Sequence, residues 1–175
     1  ADNTELMGYV DWRQKFGRFT LNLGLNATAG HNTFTVVNDF YPADTSMAVL
    51  TLRPNIRLSY RTKSMYDFSL SYSYSSSVPS LSRRTTFREY SEDGYSVGNG
   101  NLSRSNRHAI NLNCSKFFMG AGYVMLTVSS DWNNNTISSI TDLVWDEHFG
   151  RYVHFSMPYN CGASASQEVR LMGNI

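Results

Sequence analysis

Apolar and polar residues alternate along most of this chain. Apolar side chains occupy nearly every second position over 19–27, 50–60, 66–74 and 110–114, and mostly Ser, Thr, Asn and Arg stand between them. A two-residue period places alternate side chains on opposite faces of a β-strand. No segment carries the 3.6-residue period of an amphipathic helix. The sequence therefore predicts an all-β protein.

The alternation and the turn residues between the runs predict eight strands. Several runs reach about ten residues, which exceeds the five or six usual in globular sheets. Such lengths suit tilted strands that cross a bilayer. The predicted strands are residues 5–14, 18–29, 49–61, 65–76, 106–117, 122–141, 150–159 and 163–172.

Short and long connections alternate between these strands. Tight turns are predicted at Lys15–Gly17, Thr62–Ser64, Phe118–Gly122 and Asn160–Gly162. The long loops are residues 30–48, 76–105 and 142–150, approximately. Outer-membrane barrels have short turns at the periplasmic end and long loops at the extracellular end. The alternation of short and long connections therefore predicts an antiparallel up-and-down transmembrane β-barrel, with residues 1–175 as a single barrel segment.

Composition and charge narrow the function. Only 17% of the residues are charged, which leaves the polar face of the strands small and mostly neutral. The formal net charge of +1 provides no broad basic field, so no nucleic-acid partner is expected. Two cysteines, Cys114 and Cys161, are too few for a disulfide framework. Two separate thiols are favoured, and their pairing stays open.

Two loop segments carry a resemblance to a known family. Residues 77–81 read Ser-Val-Pro-Ser-Leu at the end of one strand, and residues 98–104 read Gly-Asn-Gly-Asn-Leu-Ser-Arg before the next. They resemble the C-terminal barrel of TonB-dependent outer-membrane receptors of the Bacteroidetes type. In that family a Ser-x-Pro-Ser-Leu segment precedes a Gly-Asn-Pro-Asn-Leu-x-Pro-Glu motif, and here Gly100 and Arg104 replace the two prolines. The matching motif residues, expected to be structural, are Pro79, Gly98, Asn99, Asn101 and Leu102.

The resemblance implies a transport function. Members of this family close an N-terminal plug inside a barrel of about 22 strands. No plug is recognised in this chain, which corresponds to about a third of such a barrel. The resemblance implies import of a metal chelate, glycan or peptide fragment across the outer membrane of a Gram-negative bacterium. The implied partners are outer-membrane lipid, lipopolysaccharide, the TonB system acting through the plug, and a nutrient-binding lipoprotein.

Candidate ligand contacts cluster in the longest loop. Arginine can bind anions through bidentate hydrogen bonds, and tyrosine can stack on a sugar or a cation. Contact with lipopolysaccharide phosphates or with solvent alone is an equal alternative. No nucleophile motif, dinucleotide fingerprint or closely spaced set of metal ligands is present, so no enzyme, cofactor or metal site is expected. The candidate residues are Arg83, Arg84, Arg88, Tyr90 and Tyr95.

Two other readings remain open at this stage. One is a small complete barrel of eight strands with a structural or adhesion role, because eight strands just fill their interior with side chains. The other is a soluble carbohydrate-binding β-sandwich, in which the aromatic face would be a buried core.

Overall fold

The computed structural model describes residues 2–36, 43–86, 88–118, 120 and 122–174. The described part contains eleven strands and one helix of four residues. No helix among these residues is long and apolar enough to cross a membrane. The elements are β1 (Asp2–Phe16), β2 (Phe19–Val36), β3 (Ala43–Arg61), β4 (Tyr66–Ser77), α1 (Leu81–Arg84), β5 (Arg88–Ser91), β6 (Gly94–Val97), β7 (Ser105–Phe118), β8 (Gly122–Asn134), β9 (Ile137–Asp146), β10 (Arg151–Asn160) and β11 (Ala163–Asn174).

Seven long strands form one antiparallel sheet in the order β1-β2-β3-β4-β7-β8-β11. Each strand pairs with the strand that precedes or follows it in this order, so the chain runs up and down. The all-β, antiparallel, up-and-down prediction is confirmed. The remaining four strands form a second sheet in the order β5-β6-β10-β9, which is built on the long-loop end of the first.

One face of the seven-stranded sheet is apolar from edge to edge. The alternating residues of neighbouring strands are in register, so leucines lie beside leucines. One row across the sheet illustrates this register. It consists of Leu21, Leu58, Leu70, Leu112, Val128 and Val169. Cross-strand neighbours of this kind are the unit from which a sheet is stabilised.

Among the described residues, no second layer of protein covers this apolar face. Leu70, at the centre of the sheet, is 47% exposed, and Leu171 at the edge is 70% exposed. The buried apolar side chains of the described residues are Leu81, Leu102 and Val153, and all three lie outside the seven-stranded sheet. A soluble sandwich requires an aromatic core buried between two sheets, and the described structure has none. The sandwich alternative is therefore wrong for this chain.

The height of the apolar face matches a bilayer. The span from Phe19 to Ala29 on β2 is about 34 Å along the strand. At the tilt of barrel strands, this span corresponds to roughly 26 Å along the membrane normal, and the apolar band of outer-membrane barrels is about 25 Å tall. Lipid hydrocarbon would therefore cover the face that no protein layer covers.

An aromatic row borders the apolar face near the short turns. The rings of Phe19 and Tyr60 are 4.4 Å apart between centroids, and those of Tyr60 and Phe68 are 6.4 Å apart. Phe16 pairs with Phe19 across the two-residue turn, in which Gly17 adopts φ +60°. A positive φ at the first turn position is the geometry of type II′ hairpins. Such rows are typical of the interface girdles of outer-membrane barrels.

The opposite face of the sheet is polar and mostly neutral. Thr127 donates a hydrogen bond to Asn113 over 2.7 Å. Arg107 forms an ion pair with Asp131 at 2.6 Å across β7 and β8. The glycine at position 24 leaves room on this face, because a β-carbon there would collide with neighbouring polar side chains. The prediction of a small polar face on the other side of the strands is confirmed.

Two strands are longer at the long-loop end than the sequence predicts. The predicted loop 30–48 consists mainly of strand, since β2 continues to Val36 and β3 begins at Ala43. Residues 37–42 lie outside the described residues. The backbone ladder between β2 and β3 continues past the last apolar pair. Pairing needs only backbone groups, so the end of the apolar alternation did not mark the end of the strands.

The predicted tight turn at Asn160–Gly162 is wrong. The chain reverses direction after Asp146 instead. Residues 161–162 are a bend through which β10 continues into β11, and it lies opposite the bend through which β8 continues into β9. At the bend, Cys161 N–H donates to the Thr136 carbonyl over 2.8 Å, and Thr136 N–H donates to the Gly162 carbonyl over 3.2 Å. Gly162 adopts φ +89° and Asn135 adopts φ +55°.

This bend also changes the strand count of the main sheet from eight to seven. The predicted strand 122–141 divides into β8 and β9, and much of the predicted loop 142–150 belongs to β9. Glycine and asparagine reach positive φ readily, which is also the signature of a reverse turn. A reverse turn and a bend therefore have the same local sequence signal, and the backbone pairing on both sides of Gly162 decides between them. Cys114 and Cys161 are free thiols in the structure.

Charge placed on the two faces should have opposite consequences for folding. We expect Leu70→Arg to destabilise the folded barrel by about 2–4 kcal/mol, the cost of arginine at the lipid-facing midplane. Ser69→Arg, one position away on the polar face, is the matched control and should cost far less. The measurement is the fraction of outer-membrane protein that resists unfolding by detergent without heating. Equal losses in both variants would contradict the assignment of the faces.

Candidate functional site

The strands β8 to β11 form one hairpin that bends at residues 135–136 and 161–162, and β9 and β10 are its outer half. The loop between β4 and β7 folds against this outer half of the bent hairpin. Its strands β5 and β6 pair with each other, and β6 adds in parallel to β10. Gly94 makes this addition possible, because a β-carbon at that position would overlap the backbone of His154. His154 N–H donates to the Asp93 carbonyl over 3.0 Å. The loop is therefore held as the edge of a sheet, which we call the loop sheet (β5, β6, β10 and β9).

Aromatic side chains gather at one corner of the loop sheet. Tyr90 lies 5.6 Å from Tyr95, 5.3 Å from His148 and 5.9 Å from Phe149, between ring centroids. Tyr95 in turn lies 5.5 Å from Phe155. Tyr90 remains 47% exposed, so its ring is both packed and accessible. Tilted contacts at these separations are favourable for aromatic pairs.

Two arginines flank these rings. The guanidinium of Arg88 lies 5.0 Å from the centroid of the Tyr95 ring, and that of Arg151 lies 5.8 Å from Phe149. A hydrogen bond with Tyr90 raises the pKa of the Arg88 guanidinium, which is cationic in any case. We call these rings and the two arginines the aromatic–arginine cluster, which consists of Arg88, Tyr90, Tyr95, His148, Phe149, Arg151 and Phe155.

The turn that carries His148 and Phe149 is fixed by a buried carboxylate. Asp146 is 5% exposed and accepts hydrogen bonds from the N–H groups of His148 at 2.8 Å and Phe149 at 3.4 Å. Arg151 reaches across to the Glu92 carbonyl at 2.8 Å, which joins this turn to the β5–β6 hairpin. The cluster is therefore preorganised by backbone contacts from both of its segments.

The structure brings together three of the five predicted ligand contacts. Arg88, Tyr90 and Tyr95 meet in the cluster, whereas Arg83 and Arg84 lie on α1. The Arg84 guanidinium contacts the sulfur of Met47 at 2.9 Å, on the side of β3. Their roles as ligand contacts stay a prediction. Sequence reasoning missed Phe149, Arg151 and Phe155, because only the pairing of β6 with β10 brings them to the loop.

The family-like loop motif fastens the loop to the bent hairpin. Asn99 donates from its side-chain amide to the Pro158 carbonyl over 3.1 Å, and its side-chain oxygen accepts the Asn101 N–H over 3.0 Å. Leu102 is 4% exposed, and Pro79 is buried. At Gly98 a β-carbon would overlap backbone carbonyl groups of residues in and after α1. The structural role of the motif stays a prediction, and these contacts are the observations on which it can be tested.

Asn160 completes this attachment at the bend. Its side-chain oxygen accepts the Ser103 N–H over 2.9 Å, and its amide donates to the Ser103 carbonyl over 3.2 Å. The same amide donates to the Asn135 carbonyl over 2.9 Å. One side chain therefore ties the end of the loop to both strands of the hairpin at the point where they bend.

A cleft opens on the polar face at the long-loop end of the main sheet. Its volume is about 300 Å³, and Glu5, Thr28 and Arg53 lie on its strand side. Ser76 and Pro79 at the start of the loop form another side. Because both charge signs and several hydroxyl groups face this space, it suits a polar occupant more than an apolar one.

The described residues provide no metal centre. No group of three or more His, Cys, Asp or Glu side chains within the described ranges could hold an ion. The aromatic–arginine cluster and the polar cleft are therefore considered as candidate sites for a ligand without a bound metal. Both lie at the long-loop end of the chain.

The sequence profile of the outer membrane protein β-barrel family matches residues 2–175. The chain therefore belongs to the outer membrane protein β-barrel family. A comparison with curated proteins finds no match. The predicted location in the outer membrane of a Gram-negative bacterium is confirmed. The Bacteroidetes type of the resemblance stays a prediction.

Two solved receptor structures share the fold. The siderophore receptor PirA from Pseudomonas aeruginosa superposes with a TM-score of 0.71 at 13% identity, over 97% of this chain and 38% of that chain. A double mutant of the Serratia marcescens hemophore receptor HasR, in complex with its hemophore HasA and heme, gives 0.68 at 12% identity, over 99% and 32%. The chain therefore spans less than two fifths of the length of these receptors.

Family membership assigns the two ends of the sheet. In outer-membrane barrels the short turns face the periplasm and the long loops face the outside. The turns at 17–18 and 62–65, and the adjoining ends of β7 at Phe118 and β8 at Gly122, therefore lie at the periplasmic end. The loop sheet, the aromatic–arginine cluster and the polar cleft lie at the extracellular end.

Removal of the Asn160 side chain should loosen the loop without unfolding the wall. Asn160→Ala deletes three hydrogen bonds, each worth about 0.5–1.5 kcal/mol net. We expect faster amide hydrogen exchange over residues 99–103 and unchanged exchange in β4 and β7. Ser138→Ala, at an exposed position of β9, is the matched control. Unchanged exchange at 99–103 in Asn160→Ala would show that the side chain does not hold the loop.

Proposed function

We propose that this chain forms part of the wall and of the extracellular binding surface of a TonB-dependent receptor that imports a nutrient. The observation that carries the proposal is the aromatic–arginine cluster, which is held rigidly at the extracellular end of a sheet with a polar inner face. The two structural neighbours are a siderophore receptor and a hemophore receptor, which supports the same function class.

The directions of the edge strands support a larger barrel. β1 and β11 stand at the two edges of the seven-stranded sheet. Because six antiparallel steps separate them, the two strands run in the same direction. Bacterial outer-membrane barrels of one chain are antiparallel with an even strand number. Direct closure would form a parallel pair, so additional strands between the two edges fit better than a closed barrel of this sheet alone.

Ligand capture would begin at the aromatic–arginine cluster. Stacking on Tyr90 and hydrogen bonds from Arg88 and Arg151 suit a ligand that has both a flat or ring surface and anionic or hydroxyl groups. A metal chelate, a glycan or a peptide fragment each meets this description. The polar cleft beside Arg53 and Glu5 would receive the ligand next, on the side of the wall that faces the lumen.

The energy for import would come from outside this chain. A plug inside the barrel would respond to TonB, and the wall described here would supply a wet, neutral surface of Ser, Asn and Thr along the path. Lipopolysaccharide would surround the extracellular end, and a nutrient-binding lipoprotein would deliver ligand to the loops. No catalytic step is needed for this function.

Uptake by intact cells tests the proposal. Cells with and without the gene are supplied with metal chelates, glycans or peptides as sole nutrient sources, in the presence and absence of TonB. We expect uptake of one class to require both the gene and TonB. Tyr90→Ala should reduce that uptake at limiting concentration by about two- to tenfold, because the loss of one aromatic stacking contact costs about 0.5–1.5 kcal/mol.

The matched control is a tyrosine of the same loop sheet that lies outside the cluster. Tyr152→Ala removes an exposed aromatic of β10 that contacts Trp145 and lies outside the cluster. Its uptake should equal that of the unaltered protein at equal outer-membrane abundance. Uptake of every class without the gene, or uptake through this protein without TonB, would overturn the proposed function.

A further inference from the structure

Positive charge is concentrated at the periplasmic end of the chain. The segments next to the short turns, residues 15–20, 60–67 and 115–124, contain five basic residues and one acidic residue. The whole chain, by contrast, has fifteen basic and fourteen acidic residues. The basic residues of this end, which we call the basic rim, are Lys15, Arg18, Arg61, Lys63 and Lys116.

Backbone hydrogen bonds hold the turns of the basic rim side by side. Arg61 N–H donates to the Arg18 carbonyl over 3.2 Å, which joins the first turn to β3. Phe117 N–H donates to the Met65 carbonyl over 3.3 Å, which joins the second turn to β7. Lys63 lies in the turn between them, so the cations occupy one continuous edge. Asp67 is the acidic residue of the rim and is already paired with Arg61.

Lys116 is the member of the rim that lies on the apolar face. Its register partners, Tyr66 on β4 and Val124 on β8, stand one row below the aromatic row toward the periplasm. The ammonium Nζ lies 4.5 Å from the centroid of the Tyr66 ring and 4.8 Å from that of Phe118. It donates a hydrogen bond to the Tyr66 hydroxyl over 2.7 Å.

This arrangement leaves donors for an anion. The lysine ammonium has three N–H groups, and one is directed to Tyr66. The Tyr66 hydroxyl accepts that bond, so its own proton is available to a further acceptor. Lys116 and Tyr66 together therefore present donors at one point of the lipid-facing surface, with the ring of Phe118 beside them.

We propose that Lys116 and Tyr66 form a binding site for the anionic headgroup of a phospholipid in the periplasmic leaflet, supported by the basic rim. The occupant follows from depth and charge. The site borders the apolar face that lipid covers, at the level where lysine and tyrosine side chains reach the headgroups. A phosphate there meets a fixed cation, and the neighbouring Lys63 adds attraction from the turn.

The proposal depends on the membrane location of the chain and not on import. It assigns a function to Lys116 that neither the wall nor the ligand surface requires. A lysine at the same depth could also extend to water without binding a lipid. The difference between these two roles is whether the protein distinguishes an anionic headgroup from a zwitterionic one.

Vesicle composition tests the site in the purified full-length protein. The protein is reconstituted in phosphatidylcholine vesicles with and without phosphatidylglycerol, and its thermal unfolding is followed. We expect phosphatidylglycerol to raise the unfolding temperature, and added salt to reduce the increase. Lys116→Gln should lose most of the increase, taken as the difference between the two vesicle types for the same variant, and Lys116→Arg should keep it.

Retention of lipid gives a second measurement. Native mass spectrometry of detergent-extracted protein should show about fivefold weaker retention of phosphatidylglycerol by Lys116→Gln, the loss expected for one basic residue at the membrane surface. An equal increase in unfolding temperature for Lys116→Gln and the unaltered protein would overturn the proposal. So would the absence of any increase in the unaltered protein, or an equal increase from inorganic phosphate in detergent.

Discussion

The structure depends on an apolar sheet face that no described protein layer covers. Seven strands are in register, so the leucines, valines and aromatics of alternating positions form one continuous surface. In water, exposure of such a face would be costly, at about 25 cal/mol for each Å². Bilayer hydrocarbon removes that cost, and it also explains why the buried apolar core of the described residues is confined to Leu81, Leu102 and Val153 outside the sheet.

Above the bilayer, backbone pairing continues after the apolar alternation has stopped. The hairpin of β8 to β11 bends at Asn135 and Gly162 without losing its register, and its outer half becomes the support of the loop sheet. Asn160 and Asn99 then fasten the loop to this support through backbone groups. The aromatic–arginine cluster is a consequence of that attachment, because its rings come from two segments that only the loop sheet brings together.

The sequence predicts the wall well and the loop region poorly, for a physical reason. Alternation reports which side chains face lipid, so the strands around Leu21, Leu58 and Leu70 follow directly from it. Beyond the apolar band the alternation is interrupted at Gly30, His31 and Asn32, so the continuation of β2 to Val36 does not follow from it. At Gly162 the residue type permits positive φ in a turn or in a bend, and only long-range pairing selects the bend. The partners Phe149 and Phe155 were missed for the same reason.

The most direct test of the lipid-facing assignment is tryptophan quenching by brominated lipid. Trp12 pairs with Leu23 on the apolar face, whereas Trp145 lies on β9 in the loop sheet. Variants that keep one of the three tryptophans are reconstituted in phosphatidylcholine whose acyl chains carry bromine. We expect strong quenching of Trp12 and little quenching of Trp145. Equal quenching of the two, or none for Trp12, would contradict the assignment of the apolar face to lipid.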